Sequence, residues 1–360
     1  MPIEVYQKRI KHYDKSIKQL SKRLNSISRF RFFVILAMLG TIVFAVLNNL
    51  SYTYALALPF LLVFANLVIR HRKLKAKLGY EVILKQINIE AVMRLKDEWT
   101  EFKDKGEEFI DESHSYSYDL DLFGQGSLFQ LINTANTSIG RARLAEMFTK
   151  PDLNKPAITK KQNAISELAK KRWWRTKLQA EGRVIKENVN IRHLTSWAQT
   201  KNLSYSNILF IAGSRLLPVI TAGTLLLAGI GLLAASIPIG LLTVQFLLLM
   251  LNIKNHNNEF TALYKYKNCI KAYQKILRQY EKSSFKSEYL RELSDGLKVK
   301  GLSAIEQLKR LERLVNRIEN RNNQLFIVVN VVLLWDYQCL IALEKWKTNL
   351  DLCLRNGCKP

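Results

Sequence analysis

The sequence predicts a mainly α-helical protein, helical membrane hairpins plus a helical bundle, and three observations predict it. Residues 32–69, between Arg31 and Arg70, carry no charged side chain across thirty-eight positions. A second uncharged run extends from Leu216 to Asn252. Beyond it, long segments repeat apolar residues in alternating steps of three and four, the spacing of a bundle face or a coiled-coil seam. With 48% apolar and 24% charged residues the composition is that of a folded chain, which excludes a disordered one.

Residues 1–31 form a basic amphipathic leader. Val5, Ile10, Ile17, Leu20, Leu24 and Ile27 share one helical side, with basic residues elsewhere. Such a helix either lies on an anionic leaflet, at about 1 kcal/mol per cation, or packs on its own domain. Residues 32–69 form transmembrane hairpin 1. As one helix they would reach about 57 Å, roughly twice a hydrocarbon core, so two spans are required. Asn48, Asn49 and Ser51 give an uncharged turn between Phe32–Leu47 and Tyr52–Ile69. Nine Lys or Arg precede the run, and Arg70, Arg72, Lys73, Lys75 and Lys77 follow it. Both flanks are therefore expected in the cytoplasm.

Residues 78–118 form a helical connector, helix from Leu78 to Phe109 and then an acidic stretch from Asp111 to Asp121. Residues 119–206 open a helical domain whose pattern is taken up below. Residues 207–253 form transmembrane hairpin 2, with arms Leu216–Leu233 and Ile237–Leu251, a tip AASIPIG and Arg215 snorkelling at the mouth. A Gly- and Ala-rich soluble hairpin is the competing reading. Residues 254–346 are long return helices. Leu263, Tyr266, Ile270, Tyr273, Leu277 and Tyr280 follow the seam spacing, as do Ile305, Leu308, Leu311, Leu314 and Ile318. Leu325–Leu343 is nearly all apolar, but Asp336 would be costly in mid-membrane, so a buried bundle helix is expected there in place of a fifth span. Residues 347–360 read as a polar tail.

The balance of 55 Lys+Arg against 30 Asp+Glu, a formal charge of +25, selects acidic partners, anionic lipid or nucleic acid. The excess is concentrated in residues 1–77 and 141–201. The four cysteines form no C-x-x-C pair and have no histidine at metal spacing, so no metal site is expected and a reduced cytoplasmic state fits all four. The acidic connector lacks EF-hand spacing. The five histidines lie scattered, and no residue is assigned a catalytic role.

The stretch Asp119-Leu120-Asp121-Leu122-Phe123-Gly124-Gln125-Gly126-Ser127-Leu128-Phe129-Gln130-Leu131-Ile132-Asn133, followed by Thr137, Gly140, Arg141 and Leu144, resembles the start of the MutS core domain. Family members enter that domain by a strand, a glycine turn and a helix. Pro151 then marks the end of a helix, and Ile158, Gln162, Ala164, Ile165 and Leu168 match the next family helix, with Lys161 where relatives generally carry Arg. Asp121, Gly124, Gly126, Ser127, Leu128, Asn133, Thr137, Gly140 and Arg141 are expected to be structural. Ser127 is expected to cap a helix that buries Leu128, Leu131 and Ile132, and Arg141 and Arg143 are placed to pair with Glu146. On this resemblance the bundle is MutS-core-like, its long helices are levers, and hairpin 2 stands where a DNA clamp would be. Hairpin 1 occupies the place of the mismatch-reading domain.

The resemblance implies ATP-dependent binding of mismatched DNA in repair, with ATP and Mg as cofactors and a homodimer in the full-length form. No G-x-x-x-x-G-K-[ST] phosphate loop occurs here, so no cofactor is assigned to this chain, and the polar tail is expected to mark a truncation. One segment suits a polyanion: Lys170, Lys171, Arg172, Trp173, Trp174, Arg175 and Lys177 interleave cations with indoles. The alternative is that both tryptophans pack in the domain or sit at headgroup level, and composition favours it. Membrane lipid and DNA are the expected partners, at the bacterial cytoplasmic membrane, with four spans and both termini in the cytoplasm. A membrane scaffold that binds no DNA is the rival function.

Overall fold

The computed structural model describes residues 2–48, 57–185, 196–198, 200, 205, 207–251, 253–298, 304–319 and 326–355, and among them there is no strand. The chain divides into two compact units, Met1–Pro151 with Arg172–Arg183, and Asp152–Lys171 with Val184–Pro360. The span 119–206, expected as one piece, is therefore shared between the units.

In the first unit the leader and hairpin 1 are not separate elements. Helix α1 runs unbroken over Pro2–Leu47 and packs against α2, Ala57–Leu95. No Gly or Pro lies between Pro2 and Gly40, and the helix continues across Arg31 past Asn25, Ser26 and Ser28. Below the uncharged run, Tyr13 and Ile17 of α1 meet Tyr80, Ile83, Leu84 and Ile87 of α2. The leader's apolar side is thus covered by the chain's own second helix and is not left for a leaflet. Asp14 pairs with Lys85 at 2.6 Å, and the Arg31 guanidinium lies 5.3 Å over the Phe64 ring. This antiparallel register brings Arg31 and Arg70, the two ends of the uncharged run, to within about 9 Å of one another along the hairpin axis. Beyond them the side chains turn outward: Phe32, Phe33, Val43, Phe44 and Leu62 are all more than half exposed. The tip and the start of the second arm, residues 49–56, lie outside the described residues.

Helix α2 stops at Leu95, not at Phe109 as expected. Asp97 adopts a left-handed φ of 61° and the Glu98 amide returns to the Met93 carbonyl at 2.9 Å, a Schellman-type end built on Asp in place of Gly. Residues 96–127 then wind irregularly, with short turns at Trp99–Glu101 and Glu107–Phe109. They wrap a small core with α3, Leu128–Ile132, and α4, Ser138–Thr149. That core holds Leu122, Phe123, Phe129 and Ala145, flanked by Phe109, Tyr116, Leu144 and Phe148. Helix α6, Arg172–Arg183, completes the unit by packing on α2.

The second unit is a helical bundle carrying hairpin 2. Its helices are α5, Lys155–Lys170; α7, Ile208–Gly229; α8, Ser236–Leu251; α9, Ile253–Lys265; α10, Lys267–Glu281; α11, Glu288–Lys298; α12, Ala304–Glu319; α13, Phe326–Leu333; and α14, Trp335–Arg355. The seam spacing is borne out: Leu263, Tyr266 and Ile270 are buried with Leu311, Leu314 and Ile318. Ile305 lies where side chains are outside the description. Leu325–Leu343 is two helices broken at Leu334, whose φ is 47°. Leu334, Leu340 and Leu343 are buried in the bundle, as expected for a core segment. The polar tail needs correction, because α14 continues through Arg355 and buries Lys347 completely. Residues 356–360 lie outside the described residues.

Two helices, within Ile3–Phe44 and Ile208–Gly229, are long and apolar enough to cross a membrane. The arm Ser236–Leu251 is shorter. Helix α7 begins at Ile208, eight residues before Leu216, so Arg215 lies within the apolar helix and not at its mouth.

Candidate functional site

The segment from Asp119 to Leu144 builds its own lock. Gly124 and Gly126 take φ of 101° and 72°, conformations that a side chain resists, and so fold the turn that delivers Ser127 to the start of α3. The Ser127 hydroxyl accepts from the Gln130 amide at 3.2 Å, and Thr137 accepts from Gly140 at 3.1 Å to start α4, each cap contributing about 1 kcal/mol. The buried side of α3 differs from the expectation. Leu128 and Ile132 are exposed, while Phe129 and Gln130 are buried. The helix is barely more than one turn, so the ring that fits among Phe109, Phe123 and Phe148 fixes its rotation. Gln130 then donates to the Thr100 and Phe102 carbonyls at 2.9 and 2.7 Å and accepts from the Gly126 amide at 2.8 Å.

Arg141 also departs from its expected partner. Its guanidinium meets Asp104 and Glu108, each at 2.6 Å, and lies over Phe109, while Arg143 takes Glu146. Asn133 donates to Asp104 at 2.8 Å, and Arg94 of α2 donates to the Leu131 and Asn133 carbonyls at the open end of α3. The counter-charge for Arg141 therefore comes from Asp104 and Glu108, just before the acidic stretch Asp111–Asp121. Asp111, exposed, is held below its ordinary carboxyl value by hydrogen bonds from Ser113. In the second unit, Ala164 of the family-like helix α5 is buried, whereas Ile165 is 65% exposed.

The basic aromatic segment straddles the unit boundary. Lys171 belongs to the bundle: it donates to the Ser284 carbonyl at 2.6 Å, pairs with Glu167 and sits 4.5 Å over Phe285. Lys170 closes α5 and is exposed. Arg172 opens α6 in the first unit with its guanidinium 5.5 Å over Tyr6. Thr176, Ala180, Glu181 and Gly182 form the buried side of α6, with Ala180 against Tyr13, Leu84 and Ile87, and Arg183 pairs with Glu90. Burial, and then the Glu181 carboxylate, push the Tyr80 phenol upward. Trp174 is half-buried. Trp173 is 52% exposed, with exposed Lys177 one turn on along the same face, and Arg175 is exposed on nearly the opposite one.

Two polar assemblies of the bundle were not legible in the sequence. Pro218 inside α7 has no N–H for the Ser214 carbonyl, and Gln338 of α14 donates to that carbonyl at 2.8 Å. Its neighbour Tyr337 donates to the Leu248 carbonyl of α8 at 2.7 Å, so α14 fastens both arms of hairpin 2. Between the arms, buried Gln245 donates to Thr221 at 2.9 Å. Deeper in the bundle, Lys347 meets Glu344 at 3.1 Å and Glu259 at 3.3 Å, 4.5 Å over the Trp197 ring, and Trp197 donates to Glu259 at 3.1 Å. Only a Pro in an apolar run hinted at the first assembly. The second joins residues 197, 259 and 347, too far apart in sequence for any spacing rule.

Neither assembly offers a reactive group. Cys269 and Cys339 are free and buried, and burial pushes the Cys269 thiol up to about 11, away from the thiolate. Among the described residues no cluster of His, Cys, Asp or Glu could hold a metal ion. The arrangement presents charge and apolar surface; it does not present a nucleophile beside a base. No family model matches the chain, nor does any characterised protein or solved structure.

Proposed function

We propose that the chain is a four-span anchor of the bacterial cytoplasmic membrane whose cytoplasmic helices bind DNA, as its resemblance to the MutS core implies. Hairpins α1/α2 and α7/α8 enter lipid, both termini stay in the cytoplasm, and a homodimer is the working form. ATP and Mg belong to the family role and find no phosphate loop in these 360 residues, so mismatch-coupled ATP turnover is not assigned to them. One observation carries the DNA reading: Trp173 and Lys177, one turn apart on α6, are both exposed, an indole for base stacking beside a cation for phosphate, and Arg175 is exposed on the same helix. The apolar belt of hairpin 1, far larger than a soluble monomer leaves bare, supports the anchor.

The test is duplex and mismatched-duplex binding by the full chain in neutral-lipid nanodiscs. Binding that weakens with salt and falls when Lys170, Lys171, Arg172, Arg175 and Lys177 are neutralised supports the reading. Absence of binding at low salt sinks it in favour of a membrane scaffold. Labelling of cysteines introduced at position 8 and position 152 from the cytoplasmic side only is the expected topology.

A further inference from the structure

We propose that the outer face of α1 is a cationic rail that holds a nucleic acid duplex by its phosphate backbone. The inference takes its partner class from the function proposed above and places the contact outside both the MutS-like segment and α6. At about 100° per residue, Lys8, Lys11, Lys15, Lys18 and Lys22 fall within an arc of roughly 80°, almost diametrically opposite the buried side of Tyr13, Leu20 and Leu24. All five are exposed, and four of them line one shallow groove with Asp14 and Gln19. Asp14 is already engaged by Lys85 across the hairpin. Among the described residues none of the five lysines has an ion-pair partner. Of the positions beside them, Gln7, Ser16, Gln19 and Asn25 are uncharged, and acidic Glu4 lies on the same face one turn before Lys8. Cations that served only to orient a span would need the right number and no common face.

Distance from the membrane separates lipid from nucleic acid. Arg29, Arg31, Arg70 and Arg72 lie nearest the level where the uncharged run ends, and they suit headgroups, whereas Lys73, Lys75 and Lys77 lie further out on α2, at about the depth of Lys22. The rail starts further out along the same unbroken helix. Lys22 stands about 14 Å and Lys8 about 35 Å from Arg31, at 1.5 Å per residue. With a Debye length of about 8 Å at physiological ionic strength, the leaflet's potential has mostly decayed at Lys22 and has vanished at Lys8. A partner that reaches these lysines must bring its own charge off the membrane. Five cations over about 21 Å of helix face a duplex that offers one phosphate per roughly 1.7 Å of axis, so several contacts form at once. All five are lysines, point charges on flexible stems without the planar fork that reads base edges, so the grip is on the backbone and indifferent to sequence.

The experiment compares the full chain in neutral phosphatidylcholine nanodiscs with a variant carrying Gln at all five positions and another carrying Arg there. A random-sequence duplex is titrated over salt. With about five contacts the wild type should weaken roughly 500-fold between about 50 and 200 mM salt. The Gln variant should lose most of that binding and most of the slope, with helix content unchanged by circular dichroism, and the Arg variant should keep both. Unchanged affinity and slope in the Gln variant overturn the rail and leave the α6 reading standing. No binding by the wild type overturns both. If the Gln variant loses only its binding to phosphatidylglycerol vesicles, the rail serves lipid and the proposal fails.

Discussion

Hairpin 1 and hairpin 2 share one sequence signature, an uncharged run between basic flanks, and join the rest of the molecule in opposite ways. In hairpin 1 the uncharged run and the basic stretch that precedes and follows it are carried by the same two helices. Helix α1 passes Arg31 without a break, and Tyr13 and Ile17 pack on α2 with only the solvent-facing Asp14–Lys85 pair beside them. In hairpin 2 the arms end at the bundle and are fastened by side chains of a third helix, Tyr337 and Gln338 of α14, which donate to carbonyls of α8 and α7. The difference teaches that continuity needs no specific polar contact, whereas a Pro-interrupted arm does. A carbonyl left without its N–H in an apolar setting costs about 1–3 kcal/mol until something donates to it.

The sharpest test of that contrast lies in the bundle beneath hairpin 2. Lys347→Met strands the Glu344 and Glu259 carboxylates and should destabilise the second unit by about 3–5 kcal/mol, with amides of the first unit unchanged in hydrogen exchange. The double change Lys347→Met with Glu344→Leu should recover part of the loss. In the first unit Phe129→Ala should cost about 3–5 kcal/mol and raise exchange across 96–149, leaving the bundle protected. Equal effects on both units would break the comparison.

Gln338→Leu should cost about 1–3 kcal/mol in the wild-type background and much less beside Pro218→Ala, where residue 218 regains an N–H for Ser214. Additive costs in that double-mutant cycle would show that Gln338 does not answer Pro218.

Smaller effects come from the surface. Glu167 accepts from the Ser287 and Lys286 amides at 2.7 and 3.0 Å and pairs with Lys171, which together hold its carboxyl down to about 2, against 4.5 for the free group. A depressed native value stabilises the fold fully above the unfolded value. The contribution fades as pH falls from about 4.5 towards about 2. Glu167→Gln should flatten the acid limb of a thermal-stability profile in that window and nowhere else. Smallest of all, Asp14→Asn should change stability by less than about 1 kcal/mol, because the exposed pair with Lys85 adds little to the contact of Tyr13 and Leu84.

Much of this organisation is visible in residue order, and the misses are informative. The Ser127 and Thr137 caps and the glycine turn rest on local geometry, so a few neighbouring residues suffice to place them. Arg141 was misassigned because Glu146 is near in sequence, while Asp104 and Glu108 are brought to it by the fold of residues 96–127. Helix α2 stopped early because Asp97 accepts a left-handed backbone that propensity alone would not grant it. For the candidate DNA surface, composition marked Lys170–Lys177 as a unit. Packing then divided it: Lys171 went to Phe285 and Glu167, Arg172 to Tyr6, and Trp173, Arg175 and Lys177 were left exposed on α6.

The sequence by itself determined the helical class, the two apolar runs, the level at which charge begins, and the spacing of the bundle seam. Each is set by one-dimensional periodicity and by the exclusion of charge from apolar surroundings, which need no knowledge of a partner. Tertiary structure alone decided that the leader is covered by α2, that α14 secures hairpin 2, and that Lys347 lies buried between two carboxylates. Those outcomes depend on groups far apart in the chain competing for one another in space. A lone lysine or glutamine carries no mark of which distant acceptor it will meet.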